Sequence, residues 1–369
     1  DFSNDGHTDL ATAGGGGLFV LLNRGDGTFR DAVSYPVMYG LDGLTAADLN
    51  GDGKQDIAAP SDGGVFVYLN EGNGTFRDAV AYDFGRTRLG NLLIAADLNG
   101  DLKPDLVTGQ RDLSVLLNEG DGTFSIETYP ISPPLYSEDF AGARPVAADI
   151  DGDHDLDLAM VYVPTQARGQ STHGGNGVAV LMNPGDGTFK GNTETIPAPG
   201  YAVSVLAADL NGDTRPDLAL AIQGAQNANL PAAFSVLLNQ DHGTFSALAT
   251  YAVEGFFAGP LASADFNGDG NPDFAMAIEG CGNCNPPLGG ALSFLLSSGS
   301  GNLEAEQIHM PVDWHPAFLI AADFDGDGNP ELATANPYTE DISVLGSRIM
   351  LSVGGSPQSL LAADFNGDE

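Results

Sequence analysis

Residues 43–60 read GLTAADLNGDGKQDIAAP, and residues 64–80 read GVFVYLNEGNGTFRDAV. The first stretch holds a nine-residue acidic loop, Asp48 to Asp56, of the general form D-x-(N/D)-G-D-x-x-x-D. The loop occurs seven times, starting at Asp1, Asp48, Asp97, Asp149, Asp209, Asp265 and Asp323. A truncated eighth copy starts at Asp364. The starts are separated by 47, 49, 52, 60, 56, 58 and 41 residues. Periods of this size suit the blades of a β-propeller, at roughly 40–50 residues each, and their scatter places insertions between fixed core strands.

Each period reads as four short strands. In the copy quoted, the first is Leu44 to Asp48, the second Asp56 to Ala59, the third Val65 to Asn70, and the fourth starts near Phe76. Val, Phe and Tyr at alternate positions support the third, and Gly-rich clusters between runs argue for an all-β chain. No stretch shows a helical period. A small pair precedes the loop in each first strand, as at Ala46-Ala47, Ala95-Ala96 and Ala207-Ala208. Such side chains suit the crowded strand nearest a propeller axis. The hairpin between the third and fourth strands is a second repeat, N-x-G-(D/N)-G-T-F, at Asn23–Phe29, Asn70–Phe76, Asn118–Phe124 and Asn183–Phe189, with a variant at Asn239–Phe245. Asp-Gly and Asn-Gly supply the positive φ of tight hairpins. The Phe is expected as an anchor between blades.

The two alternating motifs resemble the FG-GAP/VCBS repeat family, which includes the integrin α-subunit propeller and certain fungal and bacterial lectins. The resemblance covers nearly the whole chain. It implies a single domain over residues 1–369: an all-β, seven-bladed propeller of four-stranded antiparallel blades with Ca²⁺ in the first-to-second-strand loops. It does not imply one function, because propellers host many.

Oxygen ligands at alternating loop positions match what Ca²⁺ requires. Positions 1, 3, 5 and 9 supply the side chains, and position 7 a carbonyl. The second loop thus offers Asp48, Asn50, Asp52 and Asp56. The third offers Asp97, Asn99, Asp101 and Asp105, and the fourth Asp149, Asp151, Asp153 and Asp157. Asp209, Asn211, Asp213 and Asp217 form the fifth set; Asp265, Asn267, Asp269 and Asp273 the sixth. The seventh is Asp323, Asp325, Asp327 and the longer Glu331. The first, Asp1, Ser3, Asp5 and Asp9, competes with or is complemented by Asp364, Asn366 and Asp368. About one Ca²⁺ per blade is expected. Leu102, His154 and Thr214 replace Gly at position 6, with strain expected if φ is positive there.

Second-to-fourth strand sets follow seven loops, and first strands precede seven, but the first set lacks a first strand and the last first strand lacks a set. Gln358–Asp364 is therefore expected to pair with the first blade and close the ring. The rivals are a longer parent chain and completion of a neighbouring subunit, which would build filaments.

Acidic residues number 50 against 13 Lys plus Arg, for a net charge of −37. That disfavours nucleic acid and anionic membrane surfaces as partners. Seven Ca²⁺ would reduce the net charge to about −23. No apolar run approaches a membrane span, so no membrane insertion is expected. The chain begins inside a loop motif and looks like a segment of a longer precursor. Loops of extracellular affinity would stand empty in cytosol, so an extracellular, secreted or cell-surface location is expected.

The acidic loops and hairpins fall on one, uniform face. The opposite face varies, with long insertions at Pro164–Gly177, Gly224–Ala232 and Glu279–Gly290. Ligand residues are sought there: Trp314, His315, Tyr201, Phe256 and His173. Aromatics of this kind, with Tyr35 and Tyr129 among them, are as a rule packed between blades. Cys281 and Cys284 are expected to form a small disulfide that locks one insertion. No nucleophile, metalloprotease or phosphate-loop signature occurs. The expectation is a calcium-stabilised, non-catalytic binding or adhesion module for glycan or protein ligands. Its alternative is a structural subunit of an extracellular filament or surface assembly.

Overall fold

The computed structural model describes the chain except residues 1, 3–6, 27, 38–39, 89–92, 110–111, 131–144, 163–175, 190–192, 226–229, 281–289, 301–302, 313–314, 346–348, 354–355 and 364–369. The described residues contain no helix, and their strands form seven antiparallel sheets. These are the seven blades of a β-propeller fold. Six sheets have four separate strands. In the remaining one, the 13-residue strand Asp56–Tyr68 pairs near its start with Thr45–Ala47 and near its end with Val80–Arg88. It runs unbroken through the expected second and third strands. The fourth strand there begins later than expected: Phe76 makes only an isolated bridge to Asn70.

Two compact units divide the chain, Asp1–Thr128 with Ile320–Glu369, and Tyr129–Leu319. In the first unit, Pro357–Ala363 pairs antiparallel with Asp9–Gly14, placing Asp9 opposite Ala363 and Thr12 opposite Leu360. Gly17–Leu21 and Val33–Tyr35 complete that sheet. The Thr12 hydroxyl donates to the Ser359 carbonyl at 2.6 Å. The C-terminal strand thus completes the first sheet within its own chain.

Second strands are apolar without alternation, as in Asp157–Tyr162 and Asp217–Gln223, because sheets cover both their faces. The fourth strands Val33–Tyr35 and Glu194–Pro197 are largely exposed. The small residues preceding each loop are half-buried, less than expected. In the second unit, Phe234, Phe274, Met276 and Leu210 share one core between two sheets. In the first, Phe2, Leu44, Ile57 and Phe76 do so. Each such side chain, fully buried, stabilises the fold by roughly 1.5–3 kcal/mol. The hairpin Phe anchors as expected: Phe76 meets Phe2 edge-on at 5.4 Å and Phe29 meets Phe324 at 6.3 Å.

Candidate functional site

Six acidic loops are fully described, and all build the same turn. In the loop from Asp48, that residue's Oδ1 accepts the Gly51 N–H at 2.7 Å and its Oδ2 the Gly53 N–H at 2.8 Å. Asn50 Oδ1 accepts the Asp52 N–H, and Asp52 Oδ1 the Lys54 N–H. Equivalent bonds recur from Asp97, Asp149, Asp209, Asp265 and Asp323. The wrap requires positive φ at positions 4 and 6. Gly53, Gly270 and Gly328 provide it at position 6, with φ from 79° to 88°. Leu102, His154 and Thr214 adopt it too, at 66°, 77° and 71°, as the sequence led us to expect of a strained position.

The position 9 carboxylate has a double role that sequence reasoning missed. Asp56 is fully buried; its Oδ2 accepts the N–H of Leu49, at position 2, and its Oδ1 the N–H of the hairpin Asn70. Asp9, Asp105, Asp157, Asp217 and Asp273 repeat the arrangement. Glu331 reaches the Phe324 N–H at 2.9 Å with its longer arm. Burial pushes Asp56, Asp105, Asp157 and Asp217 up to about 6, against the pull of these N–H donors. Nearby loop carboxylates add to the rise, as Asp52 and Asp48 do at Asp56.

Carboxylate oxygens of Asp149, Asp151 and Asp157 lie within 4.8 Å of one another, as do those of Asp323, Asp325 and Glu331. An all-oxygen donor set of this density fits a hard divalent cation, whose charge would offset the mutual repulsion. Three other loops carry a basic residue at position 7 that pairs with position 5: Lys54 with Asp52 at 2.8 Å, Lys103 with Asp101 at 3.3 Å and Arg215 with Asp213 at 2.6 Å. Asp1, Ser3, Asp5, Asp364, Asn366 and Asp368 lie outside the described residues.

A second feature missed in the sequence is the side chain of the hairpin Asn. Asn70 Nδ2 donates to the Gln55 carbonyl of its own sheet and to the Phe2 carbonyl of the preceding acidic loop. Asn23 does the same to Thr8 and Phe324, and Asn239 to Pro216 and Ile150. Ser297 stands in for Asn in the degenerate hairpin, donating to Leu210 at 3.2 Å. The available signal was an Asn always first in the hairpin motif, matched by a large apolar residue always second in the loop.

Of the ligand candidates, Tyr201, Phe256 and His315 are half-buried and described, at the end of two adjoining second-unit sheets opposite the acidic loops. His315 Nδ1 lies 2.8 Å from Glu279 Oε2, and burial raises the Glu279 pKa while the histidine opposes the rise. Glu279 was absent from the sequence candidates. Trp314, His173, Cys281 and Cys284 lie outside the described residues. Tyr35 and Tyr129 have packing roles: Tyr35 stacks edge-on with Phe76 and Tyr68, and Tyr129 with Phe189. No helix among the described residues is long and apolar enough to cross a membrane.

Comparison with known proteins places this geometry in context. In fold, the chain is similar to an Agrocybe aegerita lectin described as recognising non-reducing terminal N-acetylglucosamine, with a TM-score of 0.62 and 19% identity over 99% of this chain and 96% of that one. A Lactobacillus plantarum protein matches at TM-score 0.60 and 12% identity, over 97% and 99% of the two chains. In sequence, phosphatidylinositol-glycan-specific phospholipase D of Homo sapiens is 26% identical over 192 residues, 46% of this chain and 20% of that protein. The rat protein is 26% identical over 189 residues, 41% of this chain and 22% of that one. The chain thus spans about a fifth of the length of the curated relatives it matches. The FG-GAP-like repeat model matches residues 1–59, 48–108, 106–160, 169–220 and 265–334, segments built on the loops and hairpins described above. With most of its length so matched, the chain belongs to the FG-GAP-like repeat family.

Proposed function

We propose that the chain is a calcium-stabilised, non-catalytic binding module that works outside the cell and holds a glycan or protein ligand at the sheet ends opposite the acidic loops. The observation that carries the reading is the contrast between the two ends. At the loop-bearing ends of their own sheets, the six described loops repeat one hydrogen-bonded turn. At the opposite strand ends of two adjoining second-unit sheets stand Tyr201, Phe256 and the Glu279–His315 pair. Aromatic rings, a carboxylate and an imidazole at the same strand ends would supply stacking and hydrogen bonds, which suits sugars. The lectin of similar fold supports that direction.

Calcium would be held by positions 1, 3, 5 and 9. The best-furnished loops are those from Asp149 and Asp323, where position 3 is Asp and position 7 carries no cation. The ion would supply fixed positive charge and ligand bonds that pin the turn; the chemistry is structural. In the first unit the C-terminal strand, which the filament reading would lend to a neighbour, pairs within its own chain.

A glycan array probed with the calcium-loaded protein, followed by calorimetry with Glu279→Gln and His315→Ala, tests the reading. Glycan binding that falls about tenfold or more in both variants is expected. Binding unchanged by either substitution would place the ligand elsewhere. A folded protein that binds no glycan would leave a protein partner as the ligand class.

A further inference from the structure

The loops and hairpins form a hydrogen-bonded relay that runs from sheet to sheet. In the second unit, Asp157 Oδ2 accepts the Ile150 N–H at 3.0 Å, and the Ile150 carbonyl accepts Asn239 Nδ2 at 2.8 Å. The Asn239 N–H then donates to Asp217 Oδ1 at 2.8 Å. Asp217 Oδ2 accepts the Leu210 N–H at 3.0 Å, and the Leu210 carbonyl accepts the Ser297 hydroxyl at 3.2 Å. The Ser297 N–H donates to Asp273 Oδ1 at 2.7 Å. Three position 9 carboxylates of three successive sheets are thereby joined through buried groups. The first unit repeats the pattern: Glu331, Phe324, Asn23, Asp9, Phe2, Asn70 and Asp56 follow one another in the same bonding order. There the hairpin backbone adds a strand to the link, since the Gly74 N–H donates to the Phe2 carbonyl at 2.8 Å.

We propose that the hairpin Asn, or Ser297 in its place, couples cation loading of its own loop to loading of the loop in the preceding sheet. The inference rests on the calcium reading above. A cation on one position 9 carboxylate fixes that carboxylate's orientation. The fixed carboxylate holds the hairpin N–H, and the same Asn holds the position 2 peptide of the neighbouring loop. That peptide's N–H in turn fixes the neighbour's own position 9 carboxylate. Buried hydrogen-bonded groups pass such constraints on, and the coupling must be reciprocal.

Asp213→Ala weakens the loop from Asp209 and leaves the hydrogen bonds of the relay in place, because the Asp213 carboxylate accepts from Arg215 within its own loop. Hydrogen exchange of the segment 149–157 is then followed by mass spectrometry as Ca²⁺ is raised. Asp213→Ala is expected to move the protection midpoint of 149–157 to at least about fivefold higher Ca²⁺, the lower end of ordinary coupling. In an Asn239→Ala background the same substitution should leave that midpoint within twofold. Asn239→Ser, imitating Ser297, should restore the shift. If Asn239→Ala does not fold, Ser297→Ala with Asp269→Ala makes the same test on segment 209–217. A midpoint of 149–157 indifferent to Asp213→Ala, or a shift that survives Asn239→Ala, would overturn the coupling alone. Absence of any calcium-dependent protection in the unsubstituted chain would overturn the calcium reading with it.

Discussion

Replacing Thr214 by Gly should stabilise the protein. Thr214 sits at φ 71° in the sixth position of its loop, a region that β-branched side chains avoid. An L residue held there costs roughly 1–2 kcal/mol. Glycine removes that cost but returns about 0.5–1 kcal/mol of flexibility to the unfolded chain. The net expectation is a gain of about 0.5–1 kcal/mol. The Thr214 N–H donates to Asp209 Oδ2 at 2.7 Å, and glycine keeps that bond. The reverse change supplies the control. A Cβ added at Gly270 meets nothing within 4 Å, so Gly270→Ala probes the backbone alone and should cost about 1 kcal/mol. Leu102→Gly should gain a similar amount, and His154→Gly less, because the imidazole Nδ1 lies 3.4 Å from Asp149 Oδ2. The assay is urea unfolding at saturating Ca²⁺, comparing midpoints at constant slope. Thr214→Gly at or below the parent midpoint, with Gly270→Ala neutral, would refute the assignment of strain.

Four further outcomes are expected. Asn70→Ala should destabilise by roughly 1–3 kcal/mol, since it removes the amide that donates to the Gln55 and Phe2 carbonyls and accepts the Gly72 N–H, although the Phe2 carbonyl keeps its bond from the Gly74 N–H; an unchanged urea midpoint would contradict this. The pH dependence follows from Asp56, Asp105, Asp157 and Asp217, pushed up to about 6 by burial. Their folded pKa exceeds the ordinary aspartate value of 3.8, so the metal-free fold binds these protons more tightly than the unfolded chain. Chelated protein should therefore gain stability as pH falls from 7 through 6 towards 4, while the increment from Ca²⁺ shrinks over the same window. A calcium increment constant from pH 8 to 5 would contradict it. Deleting residues 356–369 removes the strand that covers Asp9–Gly14 and should abolish a single cooperative melt, as calorimetry would show.

Much of this architecture was legible because period-two and loop signals are local. The acidic loop set the number of sheets, its substituted sixth positions marked where φ is positive, and the matched strand sets placed Gln358–Asp364 beside the first blade, where the strand observed is Pro357–Ala363. Hairpin Phe76 was recognisable as an anchor from its fixed distance to the Asn-Gly turn. What escaped was non-local. Asn70 looks like a turn residue in its own hairpin, and its bond to the Phe2 carbonyl spans 68 positions. Asp56 looks like a ligand, and its use as a double acceptor for backbone N–H groups needs the third strand in place. Glu279 is far in sequence from His315, and only the packing of a strand end against a connection brings them to 2.8 Å. The half-burial of the small pair at Ala46-Ala47 likewise reflects how the first strands lie, which side-chain size alone does not fix.

Calcium dependence of the melt is the most direct test of the account. With free Ca²⁺ about tenfold above Kd, each loop adds roughly 1.4 kcal/mol, and seven add about 10. For a chain of this size that corresponds to a shift on the order of 10 °C. Scanning calorimetry in millimolar Ca²⁺ and again in excess chelator should show the melting temperature fall by that amount, with metal analysis giving about one Ca²⁺ per sheet. An unchanged melting temperature, or a folded protein that retains no Ca²⁺ at millimolar concentration, would contradict it.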